Sequence, residues 1–265
     1  MDPQLRTRIG FVSPTPYSVA VPSAISTSDL TAMYGDAVAL TGVTMEIPTA
    51  SSLAVIGPNG SGKSTLLGVL AGLIPASSGR ATVAGRTPAL VLQSTDVDRS
   101  LPITVRDTVS LARYPTLGLF RRFGAADREA IDTALSRLAI DDLANRQLHD
   151  LSGGQRQRVL VAQGVAQDTE VLLLDEPVMG LDLTSRAIIL DLVDEEVAAG
   201  RTVVVTTHNL DEARRCDQVL LLDTTAIAVG TPDEVLTEQH LRRAFGGRFL
   251  RVGDEFILDD PHHHH

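Results

Sequence analysis

Short apolar runs rich in β-branched residues alternate along this chain with longer stretches in which apolar positions return every three or four residues. The first pattern suits strands and the second amphipathic helices, and their alternation predicts an α/β fold built on a largely parallel sheet. Strands are expected at Ser52–Ile56, Leu90–Leu92, Val171–Asp175, Val203–Thr207 and Val219–Leu222. Between the second and third of these the pattern changes. The stretch ADREAIDTALSRLAI keeps apolar residues at helical spacing with charges on the opposite face, so residues 94–167 read as an inserted helical subdomain. The core then comprises residues 25–93 and 168–230. Ahead of it, residues 1–24 are rich in Pro, Ser and Thr and read as a loose extension. Behind it, TPDEVL puts Thr231 at an N-cap, Pro232 at the first helical position and Glu234 where it closes a capping box. That predicts a helical tail over 231–265, ending in a run of histidines.

Composition narrows the classes of partner. With 265 residues, 43% of them apolar, the chain has enough material to bury a full core. Its formal net charge of −10 argues against wrapping a nucleic-acid backbone, a task that calls for a stripe of Lys and Arg. Cys216 is the sole cysteine, so there is no internal disulfide framework and a reducing compartment fits. No run approaches the roughly 18 apolar residues that a spanning helix needs, and the N-terminus lacks the continuous apolar segment of a signal peptide. The chain reads as soluble and cytosolic.

Candidate chemistry begins with one cation. Lys63 is the only lysine among 23 Lys and Arg positions, and it lies in VIGPNGSGKST. Gly57, Pro58, Asn59, Gly60, Ser61, Gly62, Lys63 and Ser64 fit G-x-x-x-x-G-K-[ST], the P-loop, with Thr65 following, an expected strand before it and an expected helix after it. Glycines let backbone N–H groups turn inward around phosphate oxygens, and the helix N-terminus adds its positive dipole end. Lys63 would reach the β- and γ-phosphates of ATP, and the Ser64 hydroxyl would ligate Mg²⁺. A narrow cradle of amides takes a compact ammonium where a broad guanidinium does not fit, which accounts for the single lysine. In VLLLDEP, a buried strand delivers Asp175 and Glu176 to its C-terminal end, where open α/β sheets bind ligands. Asp175 would hold Mg²⁺, and Glu176 could accept a proton from attacking water. In LSGGQ, Ser152 and Gln155 form a capping box that begins a helix running to about Gln167, and Gly153 and Gly154 leave that helix start open to an anion.

P-loop, LSGGQ and VLLLDEP in this order resemble the ATP-binding-cassette family over about residues 26 to 250. The resemblance implies a P-loop NTPase core with antiparallel N-terminal strands as well as the inserted helical subdomain. It also implies roles for single residues. Tyr34 occupies the place of the adenine-stacking aromatic, and Gln93, at the end of ALVLQ, that of the Q-loop glutamine that contacts Mg²⁺ or water. Asp182 in MGLD resembles the D-loop aspartate, and His208 after TVVVTT the switch histidine that contacts the γ-phosphate. Two positions depart from the family pattern. Met179 stands where a small hydroxyl residue is common, and Gln163 and Gly164 stand in AQGV where ARAL is usual.

A single cassette implies a dimer, here a homodimer, with ATP held between the P-loop of one subunit and the LSGGQ of the other. It implies an integral-membrane permease subunit as the load, served by an extracytoplasmic substrate-binding protein, with the cassette peripheral on the cytoplasmic face of the plasma membrane. Nucleic acid is not expected as a partner. The segment LPITVRDTVSLARYPTLGLFRR, Leu101 to Arg122, is similar to the permease-docking region of manganese, zinc and iron importer cassettes, apart from alanine where a glycine usually precedes the arginine. The tail LTEQHLRRAFGG resembles the same group. A cassette ATPase that drives assembly or regulation, or one serving an export or envelope system, shares the core motifs.

Overall fold

The computed structural model describes residues 22–92, 102–117, 123–246, 249–252 and 255–258. Strands β1 (Ser23–Tyr34) and β2 (Ala37–Pro48) form an antiparallel pair, and β3 (Ser52–Ile56) leads into helix α1 (Lys63–Leu70). Next come β4 (Ser78–Val83) and β5 (Ala89–Val91), then the helical insert with α2 (Val105–Ser110), α3 (Tyr114–Leu117), α4 (Ala125–Arg137) and α5 (Gly153–Ala166). The chain returns to the sheet through β6 (Val171–Asp175), α6 (Leu183–Ala198), β7 (Thr202–Thr207), α7 (Leu210–Arg214), β8 (Gln218–Asp223) and β9 (Thr225–Gly230). Helices α8 (Pro232–Val235) and α9 (Glu238–Phe245) and the hairpin β10 (Phe249–Val252) and β11 (Glu255–Leu258) end the described chain.

Among the described residues the main sheet has the order β5-β6-β7-β3-β8-β9, parallel throughout except for β9. The order β2-β1-β4 makes a separate antiparallel sheet. Every residue of β3, β6 and β7 is buried, because layers cover both faces of the main sheet. Strand alternation divides their side chains between those layers. Leu53 and Val55 of β3 pack with Leu66 and Leu67 of α1 and with Ile25, Leu40 and Ile47 of the antiparallel sheet. Ala54 and Ile56 face Leu210, Ala213 and Leu241. Leu172 and Leu174 of β6 meet Val159 and Val165 of α5 and Ile189 of α6. Each such aliphatic side chain contributes about 1.5–3 kcal/mol on burial, so these strands hold the P-loop and the acidic strand end in one rigid frame.

Two of the expected strands, Ser52–Ile56 and Val171–Asp175, have the bounds read from sequence. Strand β5 starts one residue earlier and excludes Leu92, which is exposed, because its pairing with β6 runs only from Ala89–Leu172 to Val91–Leu174. Ser23 and Ala24, read from sequence as part of the extension, belong to β1, and Ala24 is buried. Among the described residues the tail is helical through Phe245. Beyond it, the β-branched and aromatic runs FLRV and EFIL pair as a hairpin, since their residue types suit a strand better than a helix. The box at Thr231 opens α8 as expected, with the Glu234 carboxylate accepting from the Thr231 N–H at 2.9 Å. Burial above all pushes the Cys216 thiol up to about 12, which keeps it protonated and unreactive.

Arg113 ties the helical insert together. Its Nε donates to Asp127 Oδ1 at 3.1 Å and its Nη1 to the Ala166 carbonyl at the end of α5 at 2.9 Å, with both charged side chains largely buried. Asp127 also accepts from the Gly124 N–H at the start of α4. Arg113→Ala removes the guanidinium that pairs with Asp127 and the donor that ties down the end of α5, and a loss of about 3 kcal/mol is expected. A denaturant midpoint shift corresponding to under about 1 kcal/mol would show that the node is dispensable.

Candidate active site

The chain leaves β3 at Ile56 and re-enters a helix at Lys63, so Gly57–Gly62 form a short loop at the C-terminal edge of the main sheet. Gly62 caps α1 at φ 98°, and a Cβ there would lie 2.5 Å from the Ala39 carbonyl oxygen. Only glycine fits both the backbone angle and the space. Lys63 opens the helix and is buried. Its ammonium bends back over the loop, donating to the carbonyls of Gly57 at 2.8 Å and Pro58 at 3.2 Å. Burial lowers the Lys63 pKa, while the negative charges of Glu176 and Asp175 pull it back up. The Ser61 hydroxyl oxygen is also buried and has no hydrogen-bond partner among the described residues.

These groups open on a cleft of about 590 Å³. Asn59 to Thr65 form its floor, Asp175 and Glu176 one wall, and Tyr34 with Ala37, Val38 and Ala39 the other. Tyr34 reaches the cleft because β1 ends there, and its ring is half exposed, placed to present a flat apolar face. A buried cation, two adjacent carboxylates, a ring of backbone amides and an orphaned hydroxyl suit a nucleoside triphosphate. No group of three or more His, Cys, Asp or Glu able to hold a metal by itself exists among the described residues. The hard oxygens of Ser64 and Asp175 fit Mg²⁺ only if phosphate oxygens complete the shell, which is how that ion is usually held.

Strand β7 organises the acidic wall. The Thr206 hydroxyl donates to Asp175 Oδ1 at 2.6 Å and accepts from the Glu176 N–H at 2.8 Å. Glu176 itself adopts φ 46°, a left-handed conformation that costs a non-glycine residue on the order of 1–3 kcal/mol. The turn aims its side chain into the cleft instead of continuing the strand. His208 follows β7 and lines a neighbouring cavity of about 190 Å³, which shares Glu176 and Met179 with the main cleft. The apolar Met179 thus stands between the two spaces.

Ser152, Gly153, Gly154 and Gln155 lie elsewhere. None of them lines either cavity. They form the start of α5, where the Ser152 hydroxyl accepts from the Gln155 N–H at 3.2 Å and the Gln155 Oε1 from the Ser152 N–H at 3.0 Å. Gly154 packs so closely on α6 that a Cβ would fall 2.7 Å from Asp182 Oδ2. Asp182 caps α6, accepting from the N–H and hydroxyl of Ser185 at 2.9 and 2.8 Å, and these bonds hold its carboxyl below the usual range. Gln93 lies outside the described residues. The sequence reading missed Thr206, whose signal was a pair of threonines following three valines at the end of β7. It also missed Glu212 and Arg186, which line the His208 cavity from α7 and α6.

Fold and cleft together define a nucleotide-hydrolysing cassette. The ABC transporter family matches residues 40–179, a span that runs from β2 through Met179. The manganese transport system ATP-binding protein MntB of Listeria monocytogenes is 38% identical over 225 residues, covering 82% of this chain and 94% of that protein. The zinc transport system ATP-binding protein TroB of Treponema pallidum is 37% identical over 265 residues, covering 95% and 97%. Among solved structures, a metal-chelate type ABC transporter in an inward-facing conformation superposes with a TM-score of 0.78 at 29% identity, covering 89% of this chain and 96% of that one. The chain belongs to the ABC transporter family, as its ATP-binding subunit, and hydrolyses ATP to power transport. Subunits of this kind work with membrane permeases, and no helix among the described residues is long and apolar enough to cross a membrane.

Proposed function

We propose that this chain is the ATPase of a metal-ion importer for manganese, zinc or iron, docked on the cytoplasmic face of the plasma membrane against a permease that an extracytoplasmic binding protein supplies. The reading of the chemistry rests on one observation: Lys63, Asp175 and Glu176 share a single cleft with the phosphate loop, while LSGGQ of the same chain lies outside it. ATP then sits between the P-loop of one copy and Ser152–Gln155 of another, in a homodimer with two composite sites. Lys63 holds the β- and γ-phosphates, the loop amides cradle them, and Tyr34 stacks on the base. Ser64, Asp175 and Gln93 would hold Mg²⁺, which would supply positive charge to offset that of the phosphates. Glu176 takes a proton from the attacking water, and His208 contacts the γ-phosphate. Asp182 orients the dimer-facing loop. Hydrolysis removes the bridging phosphate and lets the dimer open.

Cargo is argued from kinship, since the residues lining the cleft are nucleotide-directed. The relatives above carry manganese and zinc transport in their names, and a Yersinia pestis relative at 34% identity is named for chelated iron. Docking is supported by the exposed Leu111 and Tyr114 within the segment similar to that of metal importers. The test is to capture the Glu176→Gln variant, ATP present, from detergent-solubilised membranes of its source organism. A multi-span permease with a binding protein that carries Mn, Zn or Fe is expected. Soluble partners alone would move the chain to the cassettes that drive no transport.

A further inference from the structure

We infer that Glu212 is a positioning residue for ATP hydrolysis: its buried carboxylate holds Thr207 with one oxygen and Arg186 with the other, and so fixes the turn that carries His208 against helix α6. Neither Glu212 nor Arg186 belongs to any of the motifs that bind nucleotide, and the inference rests on the reading of His208 as a γ-phosphate contact.

The argument begins at the end of β7. Adjacent residues of a strand point to opposite faces. Thr206 is engaged on one face by Asp175 and the Glu176 N–H. On the other face the Thr207 hydroxyl donates to Glu212 Oε2 and accepts from the Asn209 N–H at 3.0 Å. Asn209 then caps α7, its Oδ1 accepting from the N–H groups of Asp211 and Glu212 at 2.8 and 3.2 Å. His208 is therefore bracketed by two residues that both close on the first turn of α7.

The other carboxylate oxygen, Oε1, pairs with Arg186 Nη2 at 2.9 Å. Arg186 sits on α6 one turn beyond Asp182, and its backbone N–H donates to the Asp182 carbonyl at 3.0 Å. Glu212 is thus the link between the turn bearing His208 and the helix that begins at the dimer-facing aspartate. A carboxylate that is only 8% exposed is costly to bury without such partners, and an amide or alkyl group would fill the same space without the charge. Both residues line the cavity that His208 and Glu176 also line, so a shift of the turn is felt at the hydrolytic groups.

The experiment measures steady-state ATP hydrolysis on the intact chain, with thermal unfolding followed on the same samples. Glu212→Ala is expected to lower kcat on the order of 10²-fold, as misplacement of a catalytic group by an ångström does, with KM for ATP within about twofold. Glu212→Gln still accepts from Thr207 but releases Arg186, and an intermediate loss in kcat is expected; it carries the test if the alanine variant does not fold. The double variant Arg186→Gln/Glu212→Gln should be no slower than Glu212→Gln alone, because the two act as one unit. Unchanged kcat in well-folded variants overturns the proposal, and so does a rise in KM with kcat intact or a lowered melting temperature with kcat intact. His208→Ala separates the two readings. If it turns over normally, the γ-phosphate role of His208 falls; if it is inactive while the Glu212 variants are not, only the positioning role falls.

Discussion

Replacing Glu176 by glutamine is expected to stop hydrolysis while leaving ATP bound. The amide has the size and shape of the carboxylate and takes the same left-handed backbone at φ 46°, so the turn and its hydrogen bond to Thr206 survive. What disappears is a group that can receive a proton. General-base catalysis is worth about 10²–10⁴-fold, and a loss of kcat in that range is expected. On the proposed sandwich between the P-loop and LSGGQ, the variant should accumulate as an ATP-bound dimer. Light scattering with ATP present reads this directly. A variant that binds ATP and remains monomeric would sink the sandwich arrangement, and one that turns over at the parent rate would remove Glu176 from the chemistry.

Lys63→Ala is expected to abolish measurable ATP binding. Its ammonium already lies within hydrogen-bond reach of the loop that cradles phosphate, held there by the Gly57 and Pro58 carbonyls. Charge-assisted bonds to phosphate are worth about 1.5–3 kcal/mol each, so losing two of them weakens binding roughly 10²–10⁴-fold. Calorimetry on the purified variant, after circular dichroism has shown it folded, gives the answer. Lys63→Arg is expected to fail as well, because a planar, forked guanidinium does not reproduce the contacts of the compact ammonium with the Gly57 and Pro58 carbonyls. Unchanged affinity in the alanine variant would mean that the amides alone hold the triphosphate.

The sequence legibly located the strands, the P-loop, the acidic strand end and the helix start at Ser152, because each rests on chemistry within a few neighbouring residues. Continuous apolar runs, ended by Gly57 in the first case and by the acidic pair Asp175 and Glu176 in the second, marked β3 and β6 to the residue. The capping boxes at Ser152 and Thr231 are i, i+3 contacts, readable from spacing alone. Where the reading slipped, the deciding force was long-range. Leu92 looks like strand but falls past the last pairing with β6.

Residue types and short spacings by themselves determined that this chain binds a nucleotide: a lone lysine in a glycine loop, two carboxylates at a strand end, and a signature helix between them. Only the tertiary structure decided which groups meet. It brought Tyr34 to the rim of the cleft, set Thr206 between Asp175 and Glu176, and kept LSGGQ away from the P-loop of its own chain. It also joined Thr207, Glu212 and Arg186 beside His208. A hydrogen bond or ion pair between elements depends on how layers pack. Local sequence sets the propensity of each element, but the burial of all of them together sets the distances between them.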